Sequence, residues 1–163
     1  MSESHLKSML PAGSYAGKTV LITGGGTGLG KSVATYLASL GANIVITGRR
    51  AEVLQQTAQE MANATGAQVL AVAGDVRNIE DVERVLNESI TRFGRVDVLL
   101  NNAAGNFVSP TERLSHRAFE SVIGIVLQGT VNFTLTVGKY WIKENIKGNI
   151  LNITTTYAFT GTA

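Results

Sequence analysis

Thr23-Gly24-Gly25-Gly26-Thr27-Gly28-Leu29-Gly30 is the stretch that decides the fold. An apolar run, Lys18 to Thr23 (KTVLIT), precedes it, and a periodic stretch from Lys31 to Leu40 follows. That succession predicts strand, tight turn and helix. Glycine lets the backbone take a positive φ and approach a bound group without a Cβ in the way. The helix N-terminus then offers free N–H groups and a partial positive charge, both suited to phosphate. An ordinary Gly-rich turn is the plain alternative. The strand before, the helix after and the spacing together favour nucleotide binding.

The chain on either side keeps the same alternation. Asn43 to Thr47 (NIVIT), Gln68 to Ala73 (QVLAVA), Val96 to Leu100 and Asn149 to Thr154 (NILNIT) are short apolar runs, as expected of strands buried on both faces. Residues 51–64 place Leu54, Ala58 and Met61 at helical spacing, and Gly66 stops that helix. Asn78 caps the next one, with Asp81 supporting its first turn and Gly94 ending it. Ser109-Pro110-Thr111-Glu112 has the form of a capping box, ahead of a long helical stretch from about His116 to Asn145 that Gly148 ends. The expectation is an α/β, Rossmann-type doubly wound parallel sheet with five strands, residues 1–17 an extension and 18–163 the nucleotide-binding domain. A full dinucleotide fold has six strands, so the sequence reads as truncated after the fifth, which would be an apolar edge.

Composition narrows the function. A chain of 163 residues, 44% hydrophobic and 16% charged, can build one globular core. A net charge of +2 with no basic run argues against nucleic acid as partner. No cysteine and only His5 and His116 exclude a metal centre of the usual kind. No apolar stretch approaches the ~18 residues of a membrane span. The first residues, MSESHLKSMLPAGSYAGK, carry neither a secretory core nor an Arg-rich presequence.

Nucleotide choice is written at the end of the second strand, Thr47-Gly48-Arg49-Arg50. NAD-binding units place an acid there for the ribose 2′-hydroxyl. Here there is no carboxylate, and two guanidinium groups stand in its place. Arginine pairs bidentately with phosphate, whereas a carboxylate would repel it. The residues therefore favour NADP(H), against the alternative of two solvated arginines at a helix start, where the helix dipole offers a cation nothing.

The spacing TGxxxGxG resembles that of the short-chain dehydrogenase/reductase superfamily. So does Asn101-Asn102-Ala103-Ala104-Gly105, which is similar to its NNAG element. The resemblance implies cofactor contacts at Thr23, Gly24, Gly26, Thr27, Gly28, Leu29, Gly30, Arg49 and Arg50. It implies further contacts at Asp75 (the adenine), Val76, Asn102, Ala103 and Ala104. The superfamily's usual Ser, Tyr and Lys are not met: Thr155 stands where the Ser would be, Tyr157 comes too early, and Gly161 follows it by four. Val126 holds the place of the usual helix Asn. These differences, with Asn101 to Arg113 (NNAAGNFVSPTER) and the stretch ITTTYA, resemble mitochondrial-type 2,4-dienoyl-CoA reductases over roughly Met9 to Gly161.

That resemblance implies reduction of a 2,4-dienoyl-CoA to a 3-enoyl-CoA by NADPH, within β-oxidation of unsaturated acyl chains. Hydride adds at C5 and a proton at Cα, through a dienolate whose charge sits on the thioester oxygen. Such an oxygen needs a placed hydrogen-bond donor. Tyr157 and Asn106 are the matching donors, and Thr155 completes the catalytic set. By themselves, a Tyr after a strand is more often a packed aromatic, and an Asn there suits a turn. Arg77, Asn106, Phe107 and Ser115 match acyl-CoA-contacting positions, although Arg77 alone reads as a surface residue. His116 and Lys31 read as solvated. The family's catalytic Lys would lie downstream of Ala163, so the isolated chain is expected to be inactive or nearly so. Homotetramers and a mitochondrial location are implied, with cytoplasmic or peroxisomal alternatives. A non-catalytic NADP-binding module and a carbonyl reductase of the same superfamily are the competing readings.

Overall fold

In the computed structural model, which describes residues 9–106 and 109–155, each apolar run becomes a strand of one parallel sheet. The strands are β1 (Thr19–Thr23), β2 (Asn43–Gly48), β3 (Val69–Ala73), β4 (Val98–Asn101) and β5 (Asn149–Asn152). They lie in the order β3-β2-β1-β4-β5. The chain builds outward from β1 to β3, then crosses back to place β4 on the other flank of β1. The loops leaving β1 and β4 therefore diverge, opening a crevice at the carboxyl ends of the strands.

Helices α1 (Gly28–Ser39), α2 (Ala51–Thr65), α3 (Ile79–Phe93), α4 (His116–Ile123) and α5 (Gly129–Lys143) cover both faces. Alternation along each strand divides the core in two. Val20, Ile22, Ile44, Ile46 and Leu100 point toward α1 and α2, packing with Ala34, Ala38, Leu54 and Met61. Leu21, Val45, Val72 and Leu99 point the other way, against Val82 and Val85 of α3 and Phe133, Val137 and Trp141 of α5. Tyr15, within the predicted extension, hydrogen-bonds the Leu40 carbonyl through its N–H (3.0 Å) and packs on the α1–α2 side.

Asn78 caps α3 as expected, its side chain accepting from the N–H groups of Glu80 and Asp81. Gly66 and Gly94 end α2 and α3 in the left-handed conformation. Four expectations need correction. Ser109 caps no α-helix: Thr111–Arg113 form a single 3₁₀ turn, Leu114 is extended, and Ser115 caps α4 by accepting from the Ala118 N–H. The long helix is interrupted by a π-helical segment, Gly124–Gln128, between α4 and α5. It ends at Lys143, and the left-handed residue after it is Asn145 (φ 53°), not Gly148. Gly148 instead lies flat under the Trp141 indole, whose Nε1 donates to the Val96 carbonyl at 2.7 Å.

The fourth correction concerns membranes. The helix His116–Lys143 is long and apolar enough to cross one by length and composition, because of its many Ile, Val, Leu and Phe residues and few charges. Its Phe133, Val137 and Trp141 are buried against the sheet and Asn132 is hydrogen-bonded inside, which makes it a sheet-packing helix. Its outer side leaves Phe119, Leu127, Leu135 and Ile142 exposed, and β5 is exposed at the sheet edge, as predicted of a fifth strand.

Candidate functional site

A cleft of about 300 Å³ lies at the carboxyl ends of β1 to β4, between the glycine loop, the end of β2, the β3–α3 loop and the segment after β4. Its floor is the glycine loop. Gly24 sits at φ 67° with its N–H donating to the Thr47 carbonyl (2.8 Å), and a Cβ there would be 2.9 Å from the Ala103 Cα. At Gly30 a Cβ would run into the Gly24 carbonyl and the Asn102 amide. These two positions make a backbone cradle that no side chain can enter. Gly26, Thr27 and Leu29 line it with them, while Gly28 begins α1 just behind.

The wall facing the loop is Asn102, Ala103 and Ala104. One hydroxyl fixes it: Thr23 Oγ1 accepts from the N–H groups of Asn102 and Ala103, both at 3.0 Å. In return, Asn102 Nδ2 donates to the carbonyls of Thr23 (3.0 Å) and Gly24 (3.1 Å). The ends of β1 and β4 are thus tied by four hydrogen bonds. Thr23 does not line the cleft; it holds together the two segments that do.

Arg49 and Arg50 reach the cleft from the end of β2, both exposed, with Arg50 immediately before α2. Val53 and Leu54 of α2 and Ile125 of the π-helical segment also line it, and the sequence reading missed them. Helical periodicity assigns Leu54 to the core, so nothing in the pattern marks it as also touching the cleft. Thr57, missed as well, donates its hydroxyl to the Gly26 carbonyl (2.8 Å) and so braces the loop from α2. Lys31, read as solvated, pairs with Glu60 and holds that carboxyl below its usual range.

Asp75, Val76 and Gly74 close the far end. Asp75 accepts from the Arg77 guanidinium, Nε at 3.0 Å and Nη2 at 2.5 Å. That pairing is the main reason the Asp75 carboxyl sits below the ordinary carboxylate range. Arg49 adds a smaller push in the same direction. The predicted adenine residue and a predicted acyl-CoA residue therefore bind each other here.

The predicted catalytic set is more dispersed. Asn106 is exposed, two residues past Ala104 at the cleft wall. Thr155 is exposed just after β5, where the Ile153 N–H donates to the Asn101 carbonyl (2.9 Å). Ser115 caps α4, as noted. Tyr157 and Phe107 lie outside the described residues. Val126, in the place of the usual helix Asn, is part of the π-helical segment.

The short chain dehydrogenase family profile matches residues 18–163. The chain is 42% identical over 154 residues to a probable 2,4-dienoyl-CoA reductase 3, (3E)-enoyl-CoA-producing, of Caenorhabditis elegans, covering 94% of this chain and 50% of that one. It is 41% identical to a probable 2,4-dienoyl-CoA reductase, (2E)-enoyl-CoA-producing, of Bacillus subtilis (87% and 56%). It is 39% identical to a peroxisomal 2,4-dienoyl-CoA reductase, (3E)-enoyl-CoA-producing, of Danio rerio (90% and 48%). Among solved structures, a short chain dehydrogenase from Bacillus anthracis is 47% identical with a TM-score of 0.85, covering 90% of this chain and 60% of that one. The chain spans about half the length of the curated relatives it matches. Sheet order, glycine cradle and matched relatives agree: the chain belongs to the short-chain dehydrogenase family.

Proposed function

We propose that this chain forms the cofactor half-site of an NADPH-dependent 2,4-dienoyl-CoA reductase. The observation that carries the cofactor part is the rim of the cleft: two arginines and no carboxylate at the end of β2, beside a cradle that a Cβ would fill. A dinucleotide fits that shape. Its pyrophosphate would rest on the loop Gly24–Gly30 and the α1 N-terminus, and its 2′-phosphate between Arg49 and Arg50. The adenine would meet Asp75 and Val76, and Asn102–Ala104 would face the nicotinamide ribose. When bound, the nicotinamide supplies the hydride.

The chain's own residues have the remaining tasks. Asn106 and Tyr157 would donate hydrogen bonds to the thioester oxygen as it gains charge, with Thr155 beside them. A phenol, with an ordinary pKa of about 10, can donate such a bond and keep its proton. Arg77, Phe107 and Ser115 would meet the acyl-CoA. Arg77 would have to leave Asp75 to reach a CoA phosphate. The substrate class rests on the relatives' names. Two name a 3-enoyl product and one a 2-enoyl product, and the 3-enoyl product is the one proposed here. A place in unsaturated fatty-acid β-oxidation follows. Mitochondrial and peroxisomal locations both accord with it, as does a homotetramer.

The deciding experiment follows NADPH oxidation by a protein of the relatives' full length that contains this chain, with a 2,4-dienoyl-CoA, with simple carbonyl compounds, and with neither. Oxidation with the dienoyl-CoA alone, giving a 3-enoyl product, is expected. Oxidation with carbonyls alone would replace this reading with a carbonyl reductase. Binding of NADPH without turnover of either would leave a nucleotide-binding module.

A further inference from the structure

Asp75 stands in a segment with no regular structure, yet three side chains from two helices hold that segment from outside the cleft. Asn132, on α5, is 9% exposed among apolar neighbours. Its Nδ2 donates to the Val76 carbonyl (2.9 Å) and toward the Arg77 carbonyl (3.4 Å). Its Oδ1 accepts from Gln128 Nε2 (2.9 Å), which fixes the amide's orientation. Beside it, Gly129 packs so closely on Val76 that a Cβ would overlap that side chain. From α3, Asp81 Oδ2 accepts the Asp75 N–H (2.9 Å). Arg84 Nη2 then ties Asp81 Oδ1 (2.6 Å) to the Ala73 carbonyl (2.7 Å).

The backbone from Ala73 to Arg77 is therefore gripped at four polar atoms. A residue needed only for packing at position 132 would be apolar, because burying an amide is costly unless its bonds are made. Here they are made to the two carbonyls that follow Asp75. Asp81 sits where a capping acid would return to the N-cap N–H, and it binds the Asp75 N–H instead. Both departures from local helix chemistry converge on one segment.

We propose that Asn132, Asp81 and Arg84 are positioning residues that set the Asp75 carboxylate to accept from the amino group of an adenine. This rests on the cofactor reading above. Arg77 is the competitor: the same carboxylate can turn toward its guanidinium, as it does here. Since the carboxylate pairs with Arg77 even while its segment is held, an adenine amino group can compete for it only if the backbone keeps it at a fixed place beside the base. Recognition by one such bond demands placement to about half an ångström, which the external grip supplies.

The test measures the affinity of the protein for NADPH and for its analogue with hypoxanthine in place of adenine. The analogue carries a carbonyl oxygen where the amino donor was. The unsubstituted protein should prefer NADPH by about tenfold, the equivalent of about 1.4 kcal/mol. Asn132→Ala, Asp81→Ala and Arg84→Met should each bring that ratio to within about threefold of unity. Asp81→Asn, which keeps an acceptor for the Asp75 N–H, should restore most of it. A general loss of stability would weaken both ligands alike and leave the ratio standing. Should Asn132→Ala fail to fold, the two α3 positions decide, since both side chains are partly exposed. A full ratio in the variants that fold overturns the positioning role. No preference in the unsubstituted protein overturns the adenine reading of Asp75 itself, and the proposal with it.

Discussion

Between Thr23 and Gly30 on one wall of the cleft and Asn102 to Ala104 on the other, position is fixed by backbone geometry and reciprocal hydrogen bonds. From Asn106 to Ser115 the chain is held quite differently. Its described side chains are exposed except for the half-buried Ser109, one 3₁₀ turn gives it shape, and the Ser115 hydroxyl anchors it to α4. The first region brings together atoms that no other residue type could place. The second is held, among its described residues, by bonds that span no more than three or four residues. A wall fixed through its backbone beside a stretch fixed by one turn and one cap is what the contrast teaches, and substitutions can break it.

Gly30→Ala should have the largest effect. The new methyl group would overlap the Gly24 carbonyl and the Asn102 amide, which are hydrogen-bonded to each other and cannot both retreat. Overpacking of this kind costs about 3 kcal/mol, a fall in unfolding midpoint of roughly 6–12 °C for a domain of this size. NADPH binding should vanish with it. Ser115→Ala, on the other side, removes one cap and should cost about 1 kcal/mol. Thermal unfolding of the two variants, with and without NADPH, checks both. Equal costs would dissolve the contrast.

Next in size is Thr23→Val, which keeps the shape and deletes the hydroxyl that accepts from two backbone N–H groups. Leaving them unpaired costs about 2 kcal/mol. Denaturant unfolding measures it, and a cost below that of Ser115→Ala would show that water replaces the hydroxyl freely. Smaller again is Arg49→Ala with Arg50→Ala. Both side chains are exposed, so stability should hardly change, while the preference for NADPH over NADH should fall about tenfold. Parallel titrations with the two cofactors decide it, and weakening of both by the same factor would remove the arginines from 2′-phosphate recognition.

How much of this was legible beforehand follows the same division. The five strands, their parallel arrangement and the glycine turn could be read, because a buried strand and a crowded turn each leave a local mark in residue type. Asn78 and Gly94 were legible for the same reason. The break in the long helix at Gly124–Gln128 was not, since a π-helical segment has no compositional mark and Ile125 enters the cleft through it. Ser109 misled because its capping pattern is genuine but outcompeted: Ser115 makes the cap, and Pro110 opens a turn instead. Thr57, Asn132 and Asp81 were invisible as site supports, because their partners lie 31 and 56 residues away or on an irregular segment. Spacing along the chain carries no information about such pairs.

The smallest expected effect is on acid stability, and it again separates the two regions. Asp75 is held below the ordinary carboxylate range chiefly by Arg77, and Asp81 chiefly by the Asp75 N–H and then by Arg84. Their folded pKa values lie under the unfolded value of about 3.9. The unfolded chain therefore binds protons more readily as acid is added, so the contribution of these groups is fully present above about pH 4 and drains away below it. Glu60, lowered by Lys31, acts with the same sign in every variant and drops out of the comparison. The candidate groups described in the other region, Asn106 and Ser115, do not titrate. Asp75→Asn and Asp81→Asn should lose less stability than the parent between about pH 6 and about pH 3, while Ser115→Ala should run parallel to it. Urea midpoints across that range measure the slopes. Because both acids are partly exposed, the difference should be modest. Parallel curves for all four proteins would mean that the ion pairs around Asp75 are matched in the unfolded chain, and that the grip on this corner of the cleft is carried by Asn132 and the backbone alone.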